Sequence, residues 1–221
     1  MDAVAEWTDA YERVRALVAD TDQDQAELTV PACPGWTVRE LLAHMVGLDV
    51  DVVRGDEPDD HNSEWTQQQV DARASDSISD LLEEWQEVAG PLRDWMHANT
   101  TRPLGDVIIH EQDLRGALGV SGAQDTDGLH ALRDRMVGRF AGEVTDLPPI
   151  ALVGEDWRWC SSGEAEDAEV VVRASAFDLT RAVMTRRSAA QLRGWVERGD
   201  IEPFLPAFAG LGPLPAADLT E

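Results

Sequence analysis

The chain has 221 residues and a formal charge of −25, from 43 acidic side chains against 18 basic ones, and it contains no lysine. That length can bury one large core or two small ones. The charge repels phosphate backbones and anionic lipids, so neither nucleic acid nor a membrane surface is expected as a partner, and an anionic small molecule would need a local arginine cluster to receive it.

Residues 2–20 set Val4, Trp7, Tyr11, Val14, Leu17 and Val18 among acids at helical spacing, which predicts an amphipathic first helix with a polar exit at 21–25. Pro31 and Pro34 bias the residues before them towards extended backbone, so the next helix should not begin before Gly35. Thr37 reads as its N-cap, and Glu40, three residues on, completes a capping box. From there to about Arg54 the residues Val38, Leu41, Leu42, Met45, Val46 and Leu48 form an apolar stripe, and His44 sits beside it facing the interior. An inward histidine is either a hydrogen-bonded core residue or a ligand, and the second role needs partners from elsewhere in the chain. Residues 55–63, which include His61, are turn formers and predict a loop.

A third helical stretch is expected from near Glu64 through Met96, with Leu81, Leu82, Trp85, Val88, Leu92, Trp95 and Met96 at helical spacing and a kink or break at Gly90-Pro91. His97 lies at its end, where a cation suits the helix dipole. Residues 104–119 predict a fourth helix ended by Gly116 and Gly119. On it Asp106 and His110 are four apart, so their side chains point the same way about one turn apart. Packed against the His44 helix, they would give the interior two histidines and a carboxylate, the ligand set of an open catalytic zinc site. The competing reading makes Asp106 a helix cap and leaves His110 partly exposed.

Neighbouring acids are weighed in the same way. Glu111 points about 100° away from His110 and should not share the metal. Asp113 is placed to be a hydrogen-bond acceptor behind His110, an acid/base group, or a surface acid near Arg115. Glu40 shares the face of His44, but its capping box accounts for it. Cys33 is either a small buried residue or an approach to the site from the preceding loop.

After a linker at 120–126, a fifth helix is expected with Leu129, Leu132, Met136, Val137, Phe140 and Val144 inward and His130 on its polar side. Beyond Leu147-Pro148-Pro149 the pattern turns to short β-rich segments, IALVG, WRWCSS and AEVVVRA. Helices at about 175–186 and 188–197 and a tail packed by Phe204 and Phe208 should follow. The expected division is therefore a helical domain at 1–146 and a small α/β domain at 147–221. Arg181, Arg186 and Arg187 are either the positive charge for a carboxylate substrate or ordinary solvated helix arginines.

Cys33 and Cys160 are far apart and in no metal-like spacing, which argues against a disulfide framework and fits a reduced cytoplasm. The N-terminal MDAVAEWTDAYERV lacks a basic and then apolar signal, and no run is long enough to span a bilayer, so a soluble intracellular protein is expected.

The stretch PACPGWTVRELLAHMVG, followed downstream by Asp106-x-x-x-His110-x-x-Asp113-Leu114, resembles the mycothiol-dependent maleylpyruvate isomerase family, a branch of the DinB-like metal-binding bundles. The resemblance covers most of the chain and is strongest over residues 28–119. It implies a DinB-like up-down four-helix bundle followed by a small α/β domain similar to sterol carrier proteins, in which AFDLTRAVMTRR is similar to the usual helix. It also implies that His44, Asp106 and His110 bind a divalent metal, zinc. Asp106 stands where the family usually has glutamate. The implied chemistry is addition of a zinc-bound low-molecular-weight thiolate, mycothiol or another small thiol, to a small electrophile such as maleylpyruvate. Addition, bond rotation and elimination would give cis–trans isomerisation; addition alone would give S-transfer. Two other readings stay open: a small-molecule hydrolase in which the metal activates water and Asp113 is the base, and a non-catalytic binding or regulatory module with a structural or degenerate metal site.

Overall fold

A computed structural model describes residues 1–58 and 62–220, and the expected loop position of His61 lies outside them. The chain divides into two units, Met1–Ala123 and Gln124–Thr220. It is mainly helical, with a small sheet in the second unit.

In the first unit, helix α1 (Ala3–Val18) is capped by Asp2, whose carboxylate accepts from the amides of Val4 and Ala5, and it buries Trp7, Tyr11 and Val14. One turn of helix, α2 (Gln23–Ala26), follows. The proline-rich stretch is more than a turn. Thr29–Val30 (β1) and Cys33–Thr37 (β2) pair antiparallel, and the hairpin runs straight into the N-cap of the next helix. Helix α3 (Val38–Arg54) opens with both halves of the expected capping box: the Glu40 amide donates to Thr37 Oγ1 at 3.3 Å and the Thr37 amide to Glu40 Oε2 at 2.8 Å. It stops at Gly55, whose φ of 75° is left-handed and favours glycine.

The stretch expected as one helix from Glu64 is two helices. Helix α4 (Ser63–Asp71) ends, and α5 (Ile78–Ala98) begins afresh on a second capping box built by Ser77 and Asp80. The apolar spacing of residues 81–96 belongs to α5 alone. Gly90-Pro91 does not break α5, which continues to Ala98; the proline forfeits one amide donor, but the face of Val88, Ala89, Leu92 and Met96 stays buried across it. Helix α6 (Pro103–Leu118) starts with its proline at the first position, passes through Gly116, and ends at Gly119, where φ is 65°. Helix α3 packs on α4, α5 and α6, and α1 packs on α5 and α6. Between them Trp7, Leu41, Leu42, Met45, Leu81, Trp85 and Leu92 are almost wholly buried. Glu111 of α6, 1 % exposed at its side chain, is clamped by Arg13 of α1 at 2.7 Å and by Arg115 at 3.0 Å, which ties α1 to α6.

The second unit begins with α7 (Asp127–Glu143), which buries Leu129, Leu132, Met136, Val137 and Phe140 as its spacing predicts. Helix α7 belongs to the second unit. Strands β3 (Ile150–Val153), β4 (Arg158–Cys160) and β5 (Val170–Arg173), helices α8 (Ala176–Val183) and α9 (Ala189–Gly194), strand β6 (Val196–Arg198) and the short α10 (Leu205–Phe208) complete it. The sheet order is β4-β3-β5-β6, with β3 and β5 parallel and both outer pairs antiparallel. Ala151, Val153 and Val171 pack on one face with Ala168; Leu152 and Val172 point to the other. Strand β6 was not foreseen, because three residues carry no readable period. Phe204 and Phe208 are buried as expected. Arg181, Arg186 and Arg187 are not solvated helix arginines: they are interior, and Arg187 pairs with Asp178 at 2.8 Å.

Among the described residues no helix is long and apolar enough to cross a membrane. Neither Cys33 nor Cys160 forms a disulfide.

Candidate metal centre

The inner face of α3 carries His44, and the first two turns of α6 carry Asp106 and His110. Because α3 packs on α6, the three meet. His44 Nε2 lies 3.5 Å and His110 Nε2 3.4 Å from the same atom, Asp106 Oδ1. One ligand atom from each residue lies within 4.8 Å of the other two. Both histidines are buried, so His110 is not the exposed residue of the competing reading, while the Asp106 side chain keeps 18 % of its surface and leaves the group open on one side.

These separations decide what the group can do. They are long for N–H···O hydrogen bonds, which run about 2.7–3.2 Å. They are close to the edge of a tetrahedron, about 3.3–3.4 Å, whose corners lie 2.0–2.1 Å from a central ion, the range for zinc bonded to nitrogen or oxygen. Two imidazoles and a carboxylate in this arrangement fit a small divalent cation.

The far side of each ring is also engaged. His110 Nδ1 lies 2.9 Å from Asp113 Oδ2, and Cys33 Sγ, on β2, donates to the same oxygen at 3.6 Å. His44 Nδ1 lies 2.7 Å from Gln69 Oε1 on α4. Trp36 on β2 leans over the His44 ring with centroids 4.9 Å apart and donates its indole N–H to Gln67.

Charge follows the geometry. Burial pushes the Asp106 carboxyl up, but His110 and His44 beside it outweigh that and hold it well below the usual carboxylate range. Burial pushes His110 down, but the Asp106 charge and hydrogen bonds to Asp106, Asp113 and Cys33 outweigh it and hold the imidazole well above its ordinary value. Without a metal, His110 stands between two carboxylates, both of which favour its protonated form.

Residues 7–115 match the family model of the mycothiol maleylpyruvate isomerase N-terminal domain. The first unit belongs to this family. The matched segment runs from α1 almost to the end of α6 and contains His44, Asp106 and His110, so the resemblance read from PACPGW and the acid-x-x-x-His pair rests on the first unit. The family's N-terminal domain is a DinB-like helical domain, in keeping with the helical packing of this unit. No curated protein and no solved structure matches the chain.

Against the family pattern, the neighbouring acids sort cleanly. Glu40 is used by its capping box and Glu111 by its two arginines, so neither faces the centre. Asp113 is buried and stands behind His110, not on the surface near Arg115. Cys33 does approach from the hairpin, as one of its two expected roles allowed. His130 is 41 % exposed and pairs with Asp125 at 3.0 Å within the second unit.

Three participants were not read from the sequence. Gln69 and Asp51 are polar residues of the kind that ordinarily face solvent, and no pattern marks them as inward. Asp49 is buried beside the site and accepts the Trp85 indole N–H at 2.6 Å. Burial raises its carboxyl well above the usual range, the Trp85 hydrogen bond opposes this, and the Asp106 charge adds to it. A signal existed for Asp49, an acid five residues after His44 inside an apolar run, but it does not fall on the ligand face.

Proposed function

We propose that the first unit is a metal-dependent catalytic domain with the DinB-like four-helix bundle made by α1, α3, α5 and α6, in which His44, Asp106 and His110 hold one divalent ion, zinc by donor type. The observation that carries this reading is the near-equal distance, 3.5 and 3.4 Å, from one carboxylate oxygen to two imidazole nitrogens on different helices. A divalent ion there would lower the pKa of a coordinating thiol or water by several units. In the family's chemistry the thiol is small, mycothiol or an equivalent, and its partner is a small electrophile of the maleylpyruvate kind. The reaction class is isomerisation or S-transfer.

The chain's own residues have distinct tasks in this scheme. His44 and His110 present Nε2 lone pairs to the ion. Asp106 offsets part of its charge and keeps one side of the site open. Asp113 accepts the Nδ1–H of His110 and makes the ring a stronger donor. Trp36 covers one face of His44 and keeps water from it. The hydrolase reading is the weaker one, because Asp113, its candidate base, already accepts from both His110 and Cys33.

The test is elemental analysis of protein purified without chelator, for wild type and for His44→Ala, Asp106→Ala, His110→Ala and His130→Ala. About one ion per chain in wild type and His130→Ala, lost in the other three, is the expected result. A chain that takes up no ion even on reconstitution overturns the proposal and favours the non-catalytic module. With the ion present, cis–trans conversion of maleylpyruvate with and without added mycothiol, followed by absorbance, tests the reaction class.

A further inference from the structure

Helix α4 reaches the candidate ligands through the side chain of Gln69, which is held at both ends. Gln69 is 3 % exposed. Its Nε2 donates to Asp51 Oδ2 at 2.7 Å, and its Oε1 lies 2.7 Å from His44 Nδ1. A carboxylate only accepts, so the Gln69 atom facing Asp51 is the amide nitrogen and the atom facing His44 is the oxygen. An amide oxygen also only accepts. In its neutral form His44 therefore carries its proton on Nδ1 and keeps the Nε2 lone pair for a cation.

The anchorage is redundant. The Trp65 indole N–H, one turn earlier on α4, donates to the same Asp51 oxygen at 2.9 Å. One turn later, Arg73 Nη1 donates to the backbone carbonyl of Gln69 at 3.1 Å, while the rest of its guanidinium forks onto Glu84 of α5 with two 2.7 Å bonds. Gly47 of α3 leaves the space that lets Gln69 come this close: a Cβ there would stand 2.5 Å from Gln69 Cβ. The side chain of Gln69 is thus held by two residues of α3, and its backbone by Arg73, which is itself anchored on α5.

We propose that Gln69 is the positioning residue of the metal centre, locking His44 in the Nδ1–H tautomer through the Asp51–Gln69–His44 chain. The proposal rests on the metal-site reading for its purpose, not for its geometry. In the opposite tautomer Nε2 bears a proton and cannot bind a cation, so the lock pre-selects the competent ring. The two ligand histidines are then backed differently, His110 by a carboxylate and His44 by a neutral amide.

The experiment reads the tautomer directly. In metal-free, ¹⁵N-histidine-labelled full-length protein at alkaline pH, long-range ¹H–¹⁵N spectra should show a protonated Nδ1 and an unprotonated Nε2 for His44. Gln69→Leu keeps the bulk but removes the acceptor; it should move His44 to the Nε2–H form and weaken zinc binding, measured by chelator competition, about 10–100-fold. In the exchanged pair Gln69→Glu with Asp51→Asn, an oxygen still faces Nδ1 and one donor remains in the 51–69 contact, so the Nδ1–H form and zinc affinity should return. A His44 that stays Nδ1–H in Gln69→Leu overturns the proposal. If Gln69→Leu does not fold, an Nε2–H ring in the exchanged pair does the same. Because the tautomer is read without metal, wild type with Nδ1–H and no zinc uptake would sink the metal reading alone.

Discussion

The close approach of α4 to α3 can be tested with one methyl group. In Gly47→Ala the added carbon would meet Gln69 Cβ at 2.5 Å, Arg73 Nη1 at 2.8 Å and Gln69 Cγ at 2.9 Å. Non-bonded carbons settle at about 3.5–4.0 Å, so the Gln69 side of α4 must withdraw by roughly 1 Å. The His44–Gln69 hydrogen bond is 2.7 Å, and a withdrawal of that size takes it to the limit beyond which no useful bond remains. Overpacking of this kind costs about 1–3 kcal/mol. For a domain of this size that is a fall in Tm of roughly 2–8 °C per kcal/mol. Zinc affinity should fall with it, on the order of tenfold, because the imidazole has lost its orienting partner. Thermal unfolding of the metal-free protein and chelator competition give the two readings. A lowered Tm with unchanged zinc affinity would refute the reasoning, since α4 would then have moved without His44 registering it.

Two further predictions concern protons. The protonated form of His110 is favoured in the metal-free protein, and only the neutral ring can bind a metal through Nε2, so zinc uptake at pH 7 should release about one proton. Affinity should rise about tenfold per pH unit up to the folded pKa of His110 and level off above it; calorimetry in two buffers of different ionisation enthalpy that shows no release would refute this. Because that pKa is raised, the His110 contribution to metal-free stability is complete below about pH 6.5 and is lost as pH rises through the folded value. Asp49 changes stability with pH in the same direction, for a different reason. Its carboxyl pKa is also raised, so an ionised Asp49 opposes folding, and stability is lost as pH rises from the ordinary value of 3.8 through the folded one. Asp49→Asn keeps an acceptor for Trp85 and should be more stable than wild type at pH 8 by on the order of 1 kcal/mol, with the gain shrinking towards pH 4. Urea unfolding at the two pH values measures it, and an Asn variant weaker at pH 8 would show that Asp49 works as an anion.

What the sequence made legible was local chemistry with fixed spacing. The Thr37 and Glu40 capping box, the stop at Gly55, the four-residue interval between Asp106 and His110, and the inward stripe of α7 each follow from a few neighbouring residues, and each stands where the spacing put it. The division of the third helical stretch was hidden for an equally local reason. Its new start at Ser77 uses aspartate, not glutamate, three residues on, and the apolar spacing of 81–96 seemed to extend backward into α4. The α4 side of the metal centre was hidden because its information is not periodic. Gln69, Asp51 and Trp65 matter through mutual hydrogen bonds between helices, and a glutamine in SEWTQQQVD looks like solvent-facing filler until the helix is docked.

The resemblance implies a glutamate where this chain has Asp106, and the distances around Asp106 show what the shorter side chain reaches. A carboxylate one methylene shorter than glutamate reaches less far from α6. If side-chain length alone set the geometry, it would lean on His110, its neighbour one turn away on the same helix, and leave His44 stranded across the gap. The distances are instead 3.4 Å to His110 and 3.5 Å to His44, which places the oxygen evenly between the two helices. Asp106 therefore faces a ring on each helix, and α6 itself is held by elements other than the candidate ligands. Arg13 and Arg115 grip Glu111 on the far face of α6, and β1 packs along the same helix. The rings that receive the carboxylate are held in turn, His110 by Asp113 and His44 by Gln69. Asp106 thus stands between two imidazoles that are each fixed from behind, the arrangement that the proposed metal site requires.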